Sequence, residues 1–158
     1  MEQKETIQRL LSLADEMGLS VSREQAERLL EHLDMVIAAN ERINLTRITS
    51  PEDALILHVV DSLLLLPYLK RSSGFFLDMG TGAGFPGIPL AICSGRRGVL
   101  LDSTGKKIHE VTGFVKQLGL TGISTVCDRV EAYAQLHGKE FGFVTARAVA
   151  SLPTLVEY

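Results

Sequence analysis

The segment Asp78-Met79-Gly80-Thr81-Gly82-Ala83-Gly84 constrains this chain more than any other feature, because three alternating glycines follow a short apolar run, Phe75 to Met79. Glycine takes positive φ without a Cβ penalty and lets a ligand lie against backbone N–H groups. A loop of this kind at the carboxyl end of a strand is where an open parallel sheet presents its binding crevice. The surrounding rhythm fits such a sheet. Gly98 to Asp102, Ile123 to Cys127 and Phe141 to Ala146 supply three further apolar runs. Between the second and third runs, Ile108, Val111, Val115 and Leu118 recur at helical spacing. The expectation is a βαβ arrangement of four parallel strands.

The glycine loop admits two readings. Gly82-Ala83-Gly84-Phe85-Pro86-Gly87 is a literal G-x-G-x-x-G, the dinucleotide fingerprint, and Asp102 lies near the distance expected of an acid that grips a ribose. The alternative ligand is S-adenosylmethionine, which uses the same acid. Asp78 favours the second reading: a carboxylate before the first glycine suits a site for a cationic sulfonium and its amino-acid tail, and it repels a pyrophosphate. Pro86 and Pro89 point the same way, since they remove backbone donors from the helix start that a pyrophosphate needs. A ligand-free strand-helix turn does not call for three such glycines.

The first seventy residues read as helical. Ile7, Leu10, Leu11, Ala14 and Met17 form one stripe before Gly18, which suits the position after a helix end. Ser22 and Gln25 can form a capping box for a second helix carrying Ala26, Leu29, Leu30, Leu33, Val36 and Ile37 on one face. Ser50 can cap a third, with Pro51 at its first position and Asp53 at the positive end of its dipole. The reading is therefore a helical N-terminal cap over residues 1–72 packed on an α/β sheet over residues 73–158, integrated as one unit. The chain stops at Tyr158 inside what reads as the opening of another helix, with Ser151 as its cap, so later strands are expected to be missing.

Composition narrows the class. The longest apolar run, Leu63 to Leu66, is far too short to span a bilayer, and the N-terminus lacks a signal-peptide pattern. Cys93 and Cys127 lie far apart without metal-ligand spacing, so no metal site is expected, and both read as buried thiols of a cytoplasmic protein. A net charge of -3 argues against a generic polyanion binder, although Lys70-Arg71, Arg96-Arg97 and Lys106-Lys107 leave room for local basic patches, each read here as a solvated pair. Asn44 reads as a turn-former after the second helix. His58 and Asp61, three apart, read as a tie between cap and sheet rather than as a catalytic pair.

Several stretches together carry a resemblance. They are Asn44-Leu45-Thr46, His58-Val59-Val60-Asp61-Ser62, Phe76 through Leu90, Leu101-Asp102-Ser103 with Lys106-Lys107, and Ala146-Arg147-Ala148. From the second helix onward the chain resembles the bacterial small-subunit (16S) ribosomal RNA guanine-N7 methyltransferases, also called glucose-inhibited division protein B. The resemblance implies a Rossmann-like class I methyltransferase sheet, S-adenosyl-L-methionine as cofactor, and 16S ribosomal RNA or the small subunit as partner of a cytoplasmic, monomeric enzyme. Carried over, cofactor contacts fall on Gly80 and Phe85, on Asp102 with Ser103 for the ribose, on Val130 and Glu131 beside the adenine in a turn from Asp128 to Glu131, and on Arg147. Asp78, Gly82 and Gly84 complete the expected loop, and Arg147 is also expected to position the RNA.

Guanine N7 has an in-plane lone pair, so alignment and exclusion of water can suffice without a general base. There is correspondingly no Asn-Pro-Pro-aromatic motif after the fourth strand, where the sequence is Ala146-Arg147-Ala148. The chain departs from the family in having Gly142 where an acid is usual, and in His109-Glu110 and Gly113 within the second-to-third crossover. A small-molecule methyltransferase and a non-catalytic cofactor-binding fragment remain the competing readings.

Overall fold

In the computed structural model, residues 3–47 and 50–146 are described. Arg147 and Ser151, named above, lie outside them. Four strands, β1 (Phe75–Met79), β2 (Gly98–Asp102), β3 (Ile123–Cys127) and β4 (Phe141–Ala146), form a parallel sheet in the order β3-β2-β1-β4. All four coincide with the apolar runs that announced them. The order reverses at β1, so the carboxyl ends of β1 and its neighbours flank a topological switch point.

The helical segments are α1 (Gln3–Glu16), α2 (Arg23–Asn40), α3 (Pro51–Ala54), α4 (Asp61–Leu63), α5 (Leu66–Arg71), α6 (Gly87–Ser94), α7 (Gly105–Gln117) and α8 (Val130–His137). The capping box of α2 is complete: the Ser22 hydroxyl accepts the Gln25 N–H, and the Gln25 side chain accepts the Ser22 N–H. Ser50 caps α3 through the Asp53 N–H, but the helix does not run on regularly. A π-helical turn, Leu55–Val60, separates α3 from α4. Helical periodicity in the sequence does not distinguish such a turn from ordinary helix.

Strand alternation divides the sheet between two cores. Phe76 and Leu100 face α1, α2, α6 and α7 in a large cluster that includes Leu10, Leu29, Leu33, Val59, Leu63, Ile88 and Val111. Leu77, Met79 and Leu101 face the other way and pack with Val130 and Ala134 of α8. The helical layer and the sheet therefore share one core.

Two imidazoles, one buried and one half-buried, complete the join. The Phe85 ring lies 4.5 Å from that of His32 on α2 and stacks at 4.5 Å on that of His58 in the π-helical turn. His58 in turn is hydrogen-bonded through Nε2 to the Thr46 hydroxyl at 2.8 Å. It ties the cap to the chain after β1, as its sequence position suggested. His32 is wholly buried, and burial drives its pKa down to about 4, against an opposing bond with the Ala83 carbonyl and with a smaller push from His58.

Five readings of the sequence need correction. The turn after α2 is held by Asn40 rather than Asn44: its Oδ1 accepts the N–H groups of Leu45 and Thr46 at 2.8 and 2.9 Å. Arg96 is not a solvated cation, since its guanidinium donates to the carbonyls of Leu69, Ser72 and Gly74 and locks the end of α5 to the entry of β1. Cys93 is buried, which raises its thiol pKa to about 11, but Cys127 is exposed because β3 is an edge strand. Glu110 has a partner, Arg42 at 2.9 Å, so a charge there joins α7 to α2.

The fifth concerns Gly142, which read as a departure and proves to be a steric requirement. The register between β1 and β4 shifts after Phe75↔Phe141, so that Phe76 pairs with Phe143 and Gly142 is the extra residue of a bulge. A Cβ at Gly142 falls 1.5 Å from the Ser73 carbonyl oxygen, where only backbone movement could relieve it.

Two outcomes are expected. Gly142→Ala should lower unfolding free energy by about 2 kcal/mol or more in urea denaturation, because overpacking against backbone has no side chain to yield. His32 is neutral in the folded state down to about pH 4, whereas its unfolded value is near 6.5. Its contribution is thus intact above pH 6.5 and lost as pH falls towards 4, by about 3 kcal/mol in all. Urea midpoints at pH 7 and pH 4 should show that increment in the unaltered protein and not in His32→Gln.

Candidate cofactor site

The loop after β1 is built around one carboxylate. Asp78 is fully buried near the end of β1, and its Oδ2 accepts the Thr81 hydroxyl at 2.7 Å and the Gly87 N–H at 2.9 Å. The Thr81 carbonyl accepts the N–H groups of Gly84 and Phe85 at 2.9 and 3.1 Å, closing the loop on itself. The N–H groups of Gly80 and Thr81 donate to Leu101 at the end of β2. Phe85 and Pro86 are joined by a cis peptide bond.

This arrangement bears on the two ligand readings. A dinucleotide pyrophosphate needs free N–H groups at the start of the helix after β1. In α6, Gly87 donates to Asp78, Ile88 donates to the Gly84 carbonyl at 2.8 Å, Pro89 has no N–H, and Leu90 donates to the Pro86 carbonyl at 3.1 Å. The helix start is fully subscribed, with the buried carboxyl group of Asp78 on its first N–H. It suits neither phosphate nor any other anion.

The open part of the loop is one turn earlier. Gly80 and Gly82 are half-buried with φ of +71° and +59°, and a Cβ built on Gly82 meets nothing within 4 Å, so its free face looks into open space. Gly84 differs. Its φ is +99°, but a Cβ there lies 2.6 Å from Ile88 and 3.1 Å from His32 Nε2. Close packing against α6 and α2 is by itself a reason for glycine at that position.

Asp102 closes the far side. One carboxylate oxygen accepts the Gly82 N–H at 2.9 Å and the other the Thr104 N–H at 2.9 Å. A carboxylate has about four acceptor positions, so Asp102 retains capacity for two further donors. A vicinal diol supplies two. Ser103 beside it is exposed.

The remaining expected residues are placed unequally. Val130 and Glu131 stand in the first turn of α8, not in a turn from Asp128: the connection is only Asp128-Arg129, with the Arg129 N–H on the Asp128 side chain at 2.7 Å. Val130 is buried under the sheet, while Glu131 is exposed near the strand end. The side chains of Asp78 and Phe85 are both buried, the first within the loop and the second between His32 and His58, so neither is exposed to a ligand.

Sequence reasoning overlooked Thr81, Gly87 and His32. Thr81 and Gly87 both donate to Asp78. His32 was visible as one polar residue inside the apolar stripe of α2, three after Leu29 and four before Val36. Among the described residues no group of His, Cys, Asp and Glu is arranged to hold a metal ion, and no helix is long and apolar enough to cross a membrane. A cleft of about 360 Å³ between α1, α2 and α3, lined by Leu30, Leu33, Leu55 and the carboxylates Asp34 and Glu52 among others, includes no residue of the glycine loop.

The fold resembles that of an O-methyltransferase from Bacillus cereus solved in complex with SAH, with a TM-score of 0.54 over 92% of this chain and 62% of that one, at 20% identity. That likeness supports a class I methyltransferase architecture. Two curated relatives named ribosomal RNA small subunit methyltransferase G are far closer in sequence. The one from Psychrobacter sp. (strain PRwf-1) is 42% identical over 94% of this chain, and that from Psychrobacter arcticus (strain DSM 17307 / VKM B-2377 / 273-4) is 41% identical over 96%. The chain spans 65% and 62% of their respective lengths. With residues 25–158 matching the family described as rRNA small subunit methyltransferase G (GidB), the chain belongs to that family.

Proposed function

We propose that the crevice formed by Gly80, Gly82, Asp102 and the start of α8 holds S-adenosylmethionine, and that the chain is the cofactor-binding part of an enzyme that methylates guanine N7 in 16S ribosomal RNA. The observation that carries the cofactor reading is the fully subscribed start of α6 beside buried Asp78, set against the open face of Gly82 and the spare acceptor capacity of Asp102. Such a site disfavours a pyrophosphate and accommodates a cationic, diol-bearing ligand. The cofactor supplies an activated methyl group when bound.

The residues have complementary tasks. Asp102 is suited to accept the two ribose hydroxyls while keeping its bonds to Gly82 and Thr104. The exposed Glu131 and Ser103 stand where an adenine edge and ribose rim would meet the strand ends. Gly80 and Gly82 let backbone approach the amino-acid tail, and Asp78 keeps the loop in shape from beneath. Guanine N7 requires no prior deprotonation, so holding and aligning the reactants is the main demand on the protein. Arg147 remains the residue assigned to the RNA, as the resemblance implies. The names of the relatives support small-subunit ribosomal RNA as substrate, and with it a cytoplasmic location; a monomer is the expected state.

Calorimetric titration with S-adenosylhomocysteine and, in parallel, NAD tests the cofactor reading. One-to-one binding of the first and none of the second is expected, and binding of NAD alone would refute it. Asp102→Ala should weaken the first by roughly tenfold or more, the scale of hydrogen bonds to a charged acceptor. The substrate reading predicts labelled N7-methylguanine in undermethylated small subunits, and an absence of labelled guanine with the cofactor bound would overturn that part alone.

A further inference from the structure

The glycine loop is held from above by a residue some fifty positions earlier in the chain. His32 on α2 has its Nε2 2.9 Å from the Ala83 carbonyl oxygen. A carbonyl can only accept, so Nε2 carries the proton. A neutral imidazole has one N–H, and Nδ1 is accordingly bare; it is buried and has no hydrogen-bond partner among the described residues. The ring is fixed by Phe85 at 4.5 Å and Phe114 at 5.7 Å, and its Nε2 approaches Gly84 closely enough to leave no room for a Cβ.

The peptide between Ala83 and Gly84 is therefore gripped at both ends. Its carbonyl points into the helical layer at His32, and its N–H points at the Thr81 carbonyl. The preceding Gly82 N–H is held by Asp102. A peptide plane beside a glycine at φ +99° has little steric resistance to rotation, and only the hydrogen bond at its carbonyl opposes a flip from the α2 side.

We propose that His32 is a positioning residue for the cofactor site: acting through the Ala83 carbonyl, it sets the orientation of the Ala83–Gly84 peptide and so the face that Gly82 presents to the crevice. The helical cap is then part of the site rather than a cover for the sheet. The inference rests on the S-adenosylmethionine reading for its effect on binding, but its effect on the loop is independent of any ligand.

Two amide variants of the full chain separate positioning from mere packing. The glutamine amide nitrogen reaches the place of Nε2, and that of asparagine stops near Nδ1. In hydrogen-deuterium exchange without ligand, amides from Gly82 to Phe85 should exchange about tenfold faster in His32→Asn and within about threefold of the unaltered protein in His32→Gln. Calorimetry with S-adenosylhomocysteine should follow the same order, about tenfold weaker for His32→Asn and near normal for His32→Gln. Thermal unfolding of both variants shows whether they are equally folded. If loop exchange is unchanged in His32→Asn, or if both variants change together in proportion to lost stability, the assignment of His32 is overturned. If the loop responds as expected but the unaltered protein binds no S-adenosylhomocysteine, the cofactor reading fails and the loop-positioning role of His32 stands.

Discussion

A single oxygen atom organises this molecule's central loop. Burying an ionised carboxylate is costly unless its acceptors are engaged, and Oδ2 of Asp78 is engaged by the two groups that define the loop's beginning and end, Thr81 and Gly87. With Thr81 held, its carbonyl is placed to receive Gly84 and Phe85. With Gly87 held, α6 begins where it must to bury Ile88 and Leu90 against the sheet. Gly87 is itself a condition of this arrangement, since a Cβ there lies 2.2 Å from Leu100 and 2.8 Å from the same Asp78 oxygen. The carboxyl group that shapes the loop also occupies the N–H that the helix start would otherwise offer to an anion.

From the loop the constraint passes outward to the helical layer. Phe85 leaves the loop between two imidazoles that come from separate helical segments, one of them in a π-helical turn. Such turns interrupt a helix locally and recur at functional positions. Here the turn carries the imidazole that lies parallel to Phe85 at an interplanar angle of 7°. The family relationship and this packing agree in one respect: three of the stretches that carry the resemblance, Asn44 to Thr46, His58 to Ser62 and Phe76 to Leu90, include residues through which the helical layer meets the sheet and its loop.

Much of this was legible in the sequence, and the reasons differ from place to place. The strands were readable to the residue because each is a short, mostly apolar run between turn residues, a pattern that the largely buried β1 and β2 carry most fully. The box at Ser22 and Gln25 was readable because capping is local. What depends on distant partners was not. Asn40 and Asn44 are equally plausible turn residues until the chain path is known. Arg96 reads as a surface cation until three carbonyls converge on it. Cys127 reads as buried until β3 proves to be an edge. His32 reads as an oddity on an apolar stripe, because its partner lies in a loop 51 positions away. The candidate site divides in the same way: the motif marks Asp78, Gly82, Gly84 and Asp102, whereas the packing of Gly84 against Ile88 and His32 shows only in the assembled structure.

The bulge at Gly142 also levels the mouth of the crevice. Strand β4 has six residues beside the five of β1, and the surplus is absorbed at the bottom of the sheet, where Phe75 and Phe141 are paired. From Phe76 upward the two strands climb in step and end flush, Met79 opposite Ala146. Counting residues from the strand starts would leave the top of β4 one position out of phase, with every side chain above the bulge turned to the wrong face. An extra glycine where the sheet begins thus sets the height and facing of what emerges where it ends.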